Sequence, residues 1–133
     1  MGPSSADFAT AQTFFDRFAR TFTTFDGNQV ADLFATPCVA LRRDGSIVPL
    51  MTREDVVRYY QAALDSYRRD GCRTARWSRL ETTSMGRRSL LVTASWELLR
   101  EDGTVEIQWR ESYSLRNFDD DDPRAFASVM HAD

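Results

Sequence analysis

The chain has 133 residues, of which 42% are hydrophobic and 12% aromatic, and its formal net charge is −3. This length suits one domain with a substantial core, so we expect a single domain over residues 1–133 that is frayed at residues 1–5. The basic residues are interleaved with acids, and neither a membrane-spanning apolar run nor a secretory signal is present, which predicts a cytoplasmic protein with no nucleic-acid or membrane partner.

Apolar residues at alternating spacings of three and four predict a long first helix with one face in the core. That face comprises Phe8, Ala11, Phe15, Phe18, Phe22 and Phe25. Asp26-Gly27-Asn28 ends this helix, and Asn28 can cap a short second helix that Pro37 prevents from continuing. The first part of the chain is therefore expected to form two helices that meet at a tight corner.

A hairpin and a third helix are expected next. Asp44-Gly45 is typical of a two-residue hairpin turn, because both residue types tolerate positive φ. The flanking strands are residues 38–43 and 46–50. Thr52 and Asp55 form a capping-box pattern ahead of apolar residues at helical spacing, and Gly71 stands where a C-terminal cap is expected. The sequence therefore predicts a third helix over residues 53–70.

The second half of the chain alternates between apolar and polar residues, as a half-buried sheet does. Turn signals at Met85-Gly86 and Asp102-Gly103 divide it into three antiparallel strands. The inner face of the third strand comprises Val105, Ile107, Trp109, Glu111, Tyr113 and Leu115. Glu111 is the one charge on that face. Residues 117–122 are expected to form a polar loop, and residues 126–133 a closing strand.

This order of helix, short helix, hairpin, capped helix and meander resembles the nuclear transport factor 2-like superfamily, in its SnoaL-like and ketosteroid isomerase-like branch. Local similarities lie at residues 30–35, 52–56 and 129–133. The resemblance implies an α+β, cystatin-like fold, in which a cone-shaped, curved antiparallel sheet wraps around three N-terminal helices. It also implies a pocket at the wide end of the cone and a homodimer. Because this fold serves enzymes and non-catalytic proteins, function depends on the pocket residues.

The residue types present exclude several chemistries. All 17 basic residues are arginine, which excludes lysine catalysis, and His131 is the only histidine, which excludes multi-histidine zinc sites. Ketosteroid isomerases use a tyrosine as hydrogen-bond donor and an aspartate as proton carrier. The resemblance places Phe18 and Arg42 at those positions, so that mechanism is not available. Nothing requires a metal, a nucleotide or a flavin, and no cofactor is expected.

Glu111 and His131 are the candidate catalytic residues. A carboxylate between Trp109 and Tyr113 on the core face has a raised pKa and can carry protons near neutral pH. The alternative, which we favour, is a structural ion pair in which Arg42, on the inward side of the first strand, holds Glu111 ionised. His131 is either a general acid or base that faces the cavity or a surface residue near the end of the chain.

Large aromatic side chains are natural walls for a ligand pocket, although ordinary core packing is the interpretation that we favour. The candidate ligand contacts are Phe18, Arg42, Tyr60, Trp96, Trp109 and Tyr113. Leu91 and Leu99 on the outer face of the second meander strand are the candidate dimer contact. Our leading hypothesis is a SnoaL-like protein that binds a small, mainly apolar molecule, with Arg42 available to bind an acidic group on it. The alternatives are a cofactor-free isomerase, cyclase or dehydratase that uses Glu111 or His131, and a structural domain with a filled cone.

Overall fold

Three helices and six strands make up the part of the chain that the structure, a computed structural model, describes: residues 5–116 and 122–132. The helices are α1 (Ser5–Thr24), α2 (Gly27–Ala31) and α3 (Arg53–Arg69). The strands are β1 (Phe34–Leu41), β2 (Ile47–Leu50), β3 (Cys72–Ser84), β4 (Ser89–Arg100), β5 (Val105–Arg116) and β6 (Arg124–Met130). Most of the predicted frayed start and of the predicted loop at 117–122 lies outside the described residues, but Ser5 already belongs to α1. Among the described residues, no helix combines the length and the apolar character that a membrane span requires.

The six strands form one sheet in the order β2-β1-β6-β5-β4-β3. The predicted antiparallel meander of β3, β4 and β5 is confirmed. The predicted closing strand is β6, which lies in the middle of the sheet, antiparallel to β5 and parallel to β1. The α+β fold class is therefore confirmed, but the sheet is mixed, because the strand that joins its two parts runs in the same direction as β1.

The aromatic face of α1 packs against the inner face of the sheet. The buried members of the predicted stripe are Ala11, Phe15, Phe18 and Phe22. Phe8, in the second turn, is exposed, whereas Phe14, which the stripe leaves out, is buried. The ring of Phe14 contacts that of Tyr113 on β5, with centroids 5.2 Å apart. Each such side chain contributes about 2 kcal/mol when fully buried, so α1 is held mainly by its aromatic residues.

The segment from α2 to the β1–β2 hairpin departs from the prediction in three places. Asp26, not Asn28, is the N-cap of α2, because its carboxylate accepts a hydrogen bond from the backbone N–H of Asn28 at 2.9 Å. Pro37 lies within β1 and does not end a helix, since β1 already begins three residues before it. β1 ends at Leu41, so the hairpin loop comprises residues 42–46 and is longer than the predicted two-residue turn.

The predicted third helix is confirmed as α3, which begins with the expected capping box. The Thr52 hydroxyl accepts from the Asp55 backbone N–H at 3.2 Å, and the Asp55 carboxylate accepts from the Thr52 backbone N–H at 3.2 Å. Further along α3, Gln61 donates to the Phe25 carbonyl at 2.9 Å and accepts from the Gly27 backbone N–H at 2.8 Å. These bonds hold α3 against the α1–α2 corner. They thereby also position Tyr59, Tyr60 and Tyr67, which lie on the same helix.

The alternation predicted for β5 is confirmed, and it directs Glu111 towards the helices. Its buried residues are Trp109, Glu111, Tyr113 and Leu115, whereas Val105 at the start of the strand is exposed. The matching inner face of β4 comprises Leu90, Val92, Ala94, Trp96 and Leu98. Because paired strands share their inner face, the side chains of Trp96 and Trp109 lie side by side, with ring centroids 6.4 Å apart.

Candidate functional site

A small cavity lies between the inner face of the sheet and the helices α1 and α3. Its volume is about 60 Å³. The helices line it with Phe18, Phe22, Tyr59, Tyr60, Ala63, Leu64 and Tyr67. The sheet lines it with Ala40, Leu41, Trp109, Glu111, Tyr113, Ser128 and Met130. A volume of this size holds about two water molecules at liquid density, so side chains fill most of the space between the helices and the sheet.

Glu111 places a carboxyl group in this cavity. The residue is only 7% exposed, and the indole Nε1 of Trp109 donates a hydrogen bond to its Oε1 at 2.7 Å. Burial raises the pKa of Glu111 from its usual 4.5 to about 7, against the opposing effect of hydrogen bonds from Trp109 and Tyr113. No arginine of the described residues forms an ion pair with it. Near neutral pH this group is therefore available both as a proton donor and as a proton acceptor.

Two further side chains extend the hydrogen bonding of Glu111 into the core. The indole Nε1 of Trp96 donates to the Tyr113 hydroxyl at 3.1 Å, and both residues are buried. The hydrogen bond from Tyr113 in turn lowers the pKa of Glu111. Trp96, predicted as a ligand contact, does not line the cavity. Its hydrogen bond instead fixes the position of the Tyr113 hydroxyl.

Tyr60 and Tyr67 close the cavity from the side of α3. Burial dominates the pKa of the Tyr60 hydroxyl, and the side chain of Ser128 on β6 acts in the opposite direction. The ring of Tyr67 stacks on that of Trp109, with centroids 5.9 Å apart and 20° between the ring planes. Burial raises the pKa of Tyr67 to about 12, and it raises that of Tyr60 well above its usual value. Both hydroxyls are therefore neutral at physiological pH and offer hydrogen bonds without charge.

The ion pair expected between Arg42 and Glu111 does not form in the structure. β1 ends one residue earlier, so Arg42 opens the hairpin loop as an exposed residue, and its backbone N–H donates to the Ser46 carbonyl at 2.9 Å. Burial raises the pKa of Tyr59, and the charge of Arg42 partly opposes this effect. The inward face of β1 ends with the buried Ala40 and leaves Arg42 outside the cavity lining.

His131 lies on the opposite face of the sheet from Glu111. The backbone N–H of His131 donates to the carbonyl of Arg110 at 2.9 Å, so His131 pairs with Arg110 on β5. Because successive residues of a strand face opposite sides, Arg110 belongs to the outer face and Glu111 to the inner face. Its imidazole Nε2 is hydrogen-bonded to the Ser112 hydroxyl at 2.8 Å, and that hydroxyl to the Thr93 hydroxyl at 2.7 Å. The structure therefore does not bring the two candidate catalytic residues together.

A larger groove of about 540 Å³ opens to solvent beside β1 and β6. Its charged and aromatic lining residues are Phe34, Arg53, Arg116, Arg124 and Phe126. Arg53 forms an ion pair with Asp32 at 2.8 Å, and Arg124 forms one with Asp122 at 2.9 Å. Such exposed pairs are weak and screened by solvent, whereas the interior cavity contains a buried carboxyl group. We therefore take the interior cavity as the candidate site.

Metal and thiol chemistry find little support in the part of the chain that the structure describes. No group of three or more histidine, cysteine, aspartate or glutamate side chains there is placed to hold a metal ion. Cys38 and Cys72 are buried free thiols, and burial raises the pKa of Cys38 to about 11. The thiolate is the reactive form of cysteine, so Cys38 is poorly reactive at neutral pH. The chemistry of the cavity therefore depends on Glu111 and the tyrosine hydroxyls.

Comparison with known proteins agrees with this arrangement of helices on one mixed sheet. The family described as NTF2-like protein (DUF6841) matches residues 6–133. The chain belongs to this NTF2-like family. The superfamily predicted from the order of the elements is thereby confirmed, whereas its SnoaL-like branch is not specifically shown. No curated protein sequence matches the chain.

Solved structures share the NTF2-like fold at low sequence identity. A protein of unknown function with a cystatin-like fold from Nostoc punctiforme is 16% identical, with a TM-score of 0.79 over 100% of this chain and 96% of that one. Aln2 from Streptomyces sp. is 14% identical, with a TM-score of 0.79 over 99% and 94% of the two chains. An NTF2-like protein from Cytophaga hutchinsonii is 13% identical, with a TM-score of 0.68 over 98% and 100%. At these identities the likeness shows the fold alone.

The NTF2-like fold brings most of the predicted site residues to one cavity and adds others. The predicted residues that line it are Phe18, Tyr60, Trp109, Glu111 and Tyr113. Tyr67 is not among the predicted site residues, although it recurs at helical spacing with Val56, Tyr60 and Ala63 on α3, and this spacing could have identified it. Ser128 and Met130 were also left out, because only the pairing of β6 with β5 shows which of its faces points inward. No spacing pattern distinguishes Tyr59.

Proposed function

We propose that this NTF2-like protein binds a small, mainly apolar molecule in the interior cavity, where Glu111 binds the polar group of the ligand. The observation that supports this most strongly is a buried carboxyl group that lines a cavity without an ionic partner among the described residues. Burying such a group costs free energy, which structural sites offset with a paired charge. A ligand that hydrogen-bonds to Glu111 would supply the missing partner.

The cavity volume restricts the size of the ligand. Typical ligand pockets measure about 300–1,000 Å³, whereas this one measures about 60 Å³. Tyr59, Tyr67 and Met130 are among its half-buried lining residues, so their side chains can rotate towards solvent. Rotamer changes of this kind are common on binding. We therefore expect a compact ligand whose entry moves side chains of α3 and β6.

The test uses the indole N–H signals of the three tryptophans in ¹H–¹⁵N NMR spectra. Trp109 donates to Glu111 in the cavity, whereas Trp77 donates to the exposed Asp16 at 2.8 Å. Titration with phenol and with 2-methylpropan-1-ol should shift the Trp109 signal to saturation and leave the Trp77 signal in place. If neither probe produces a saturable shift of the Trp109 signal, the proposed binding function is wrong.

A matched pair of substitutions on α3 locates the binding. Ala63 lines the cavity, whereas its neighbour Ala62 is exposed. Ala63→Leu adds volume to a space of about 60 Å³ and should abolish the probe-induced shift, because packed interiors cannot absorb the extra atoms. Ala62→Leu should leave the shift unchanged. Equal behaviour of the two variants would show that the probes bind elsewhere.

A second candidate function is supported by the pKa of Glu111 near 7, which suits a group that both accepts and releases a proton. This is a cofactor-free isomerase, cyclase or dehydratase, as in the SnoaL-like branch that the order of elements resembles. His131 lies across the sheet, so Glu111 would act with the hydroxyl of Tyr60 as hydrogen-bond donor. Deuterium uptake by butan-2-one in D₂O, followed by NMR, should exceed the uncatalysed rate and be lost in Glu111→Gln. Equal uptake in the variant would contradict this role.

We also propose a homodimer formed through the outer face of the sheet. The strand pairings form one row across five strands, in which Leu91, Ala127, Val39 and Pro49 are apolar and only Ser114 on β5 is polar. Contiguous apolar residues on an exposed face are typical of interfaces. Val39→Arg should convert a dimer to a monomer in sedimentation velocity experiments. A monomeric wild-type protein at the highest accessible concentration would contradict the proposal.

A further inference from the structure

The cavity lining has one group that is charged near neutral pH. All 14 lining residues are described, and Glu111 is the only acid or base among them apart from tyrosines. Burial raises the pKa of the lining tyrosines, which are therefore neutral. When Glu111 ionises, the cavity holds a negative charge in a medium of low polarity. This charge has no counter-ion among the described residues, so its field acts on whatever enters the cavity.

Aromatic rings surround this carboxyl group. Trp109 donates to it at 2.7 Å and stacks on Tyr67, while the ring of Tyr60 contacts that of Phe18 with centroids 6.0 Å apart. The face of an aromatic ring carries partial negative charge and attracts an ammonium group that lies within about 6 Å of the ring centre. Trp109 and Tyr67 direct one such face towards each other, so the carboxylate is the main attraction for an organic cation and the rings enclose its apolar part.

We infer that the cavity selects its ligand by charge: it accepts the ammonium group of a small amine, with Glu111 as the counter-ion, and it rejects carboxylates. This inference rests on the proposed binding function and names the class of ligand. The small volume agrees with it, because an ammonium group with one or two carbon atoms is among the smallest polar groups that rings can enclose. The remainder of the amine would lie between the half-buried side chains of Tyr59, Tyr67 and Met130.

The arginines of the hairpin loop do not reverse this selectivity. Arg42 and Arg43 belong to the exposed hairpin loop, where solvent and salt screen their charges. The charge of Arg42 acts on the pKa of Tyr59, whereas the pKa of Glu111 is governed by burial and by hydrogen bonds. A bound carboxylate would have to lie beside the carboxylate of Glu111 in a poorly solvated space. Two like charges so placed repel strongly, so an anionic ligand is disfavoured.

Three probes of nearly equal shape and different charge test the inference: isobutylamine, 2-methylpropan-1-ol and isobutyrate. Their affinities are measured at pH 8 from the shift of the Trp109 indole signal. The amine should bind at least about tenfold more tightly than the alcohol, because a charge-assisted hydrogen bond is stronger than a neutral one. Isobutyrate should bind more weakly than the alcohol. Tighter binding of the alcohol or of isobutyrate would overturn the inference while leaving the binding function intact, whereas no binding by any probe would overturn both.

Glu111→Gln should reduce the affinity for isobutylamine about tenfold and that for the alcohol by clearly less, because glutamine retains a neutral hydrogen-bonding group but no charge. Retained binding of the alcohol also shows that the variant is folded. Glu101→Gln, an exposed residue of the β4–β5 turn, serves as the control and should change neither affinity. An unchanged affinity of Glu111→Gln for the amine would contradict the assignment of Glu111 as counter-ion.

The wild-type protein provides a second test that does not depend on a variant. Lowering the pH from 8 to 6 should weaken amine binding about tenfold, because most of Glu111 is then protonated. The other titratable groups packed around it are Tyr59, Tyr60, Tyr67, Tyr113 and Cys38, whose pKa values burial raises, so they do not titrate in this range. His131 lies across the sheet. Amine affinity that is independent of pH between 6 and 8 would contradict the inference.

Discussion

Replacement of Glu111 by glutamine should change how the free energy of unfolding depends on pH. Burial holds the pKa of Glu111 at about 7 in the folded protein, whereas its usual value is 4.5. Between these two values the folded protein binds more protons than the unfolded chain, so its stability decreases as the pH rises. The stabilisation is fully present below pH 4.5, is lost as the pH rises through about 7, and changes little above that.

The size of this effect follows from the two pKa values. One pKa unit corresponds to about 1.4 kcal/mol, so the difference between 4.5 and about 7 amounts to a loss of about 3 kcal/mol for the wild type. Glutamine has a similar shape and does not ionise, so Glu111→Gln should not show this loss. The variant should therefore gain about 3 kcal/mol relative to the wild type between pH 4.5 and pH 8.

Urea denaturation at pH 4.5, 5.5, 6.5 and 8, followed by tryptophan fluorescence, measures both free energies of unfolding. The exposed Glu101→Gln provides the matched control, because it removes a carboxylate that lies in a turn and not in the cavity. It also shows the pH response of the rest of the protein. Parallel stability curves for the wild type and Glu111→Gln would refute the argument, because they would mean that Glu111 titrates alike in the folded and unfolded states.

Three further predictions concern other parts of the fold. Thr52→Ala should lower the free energy of unfolding in urea by about 1 kcal/mol, because the Asp55 backbone N–H loses its acceptor; Thr52→Ser should restore most of it. Gly27→Ala should destabilise the protein by about 1–3 kcal/mol in thermal denaturation, since a Cβ there would lie 2.9 Å from the Val57 carbonyl oxygen. Cys38, whose pKa burial raises to about 11, should react with iodoacetamide at pH 8 at least about tenfold more slowly in the folded than in the unfolded protein. Equal rates by mass spectrometry would contradict its burial.

The elements that depend on neighbouring residues were predictable from the sequence. The capping box of Thr52 and Asp55 is a local signal, and so is the alternation of β5 that points Glu111 inward. The identity of the strands beside β6 was not predictable, because the pairing of Val39 with Ala127 joins segments that lie far apart in the sequence. Strand pairing over such distances depends on the whole fold and not on any local pattern.

The same limit explains where the predicted site and the observed site differ. Arg42 was expected to face inward, but β1 ends one residue before it, so its side chain never joins the inner face. His131 was expected either in the cavity or on the surface, and its pairing with Arg110 on β5 places it on the outer face of the sheet. Glu111 was predicted on the correct, inner face of the sheet. Its lack of an ionic partner, however, depends on the positions of Arg42 and His131. Residue types indicated the chemistry, and strand ends and register determined which groups meet.

The central position of β6 has a consequence for the order in which the sheet assembles. Within the sheet, the β1–β2 hairpin is connected to the other strands only through β6, which follows all of them in the chain. On a ribosome, the hairpin emerges long before the strand that it must pair with. Until then its inner residues, among them Cys38, Ala40 and Leu50, lack that neighbour. Pairing between such distant segments slows folding, so the two parts of the sheet stay separate until β6 has been synthesised.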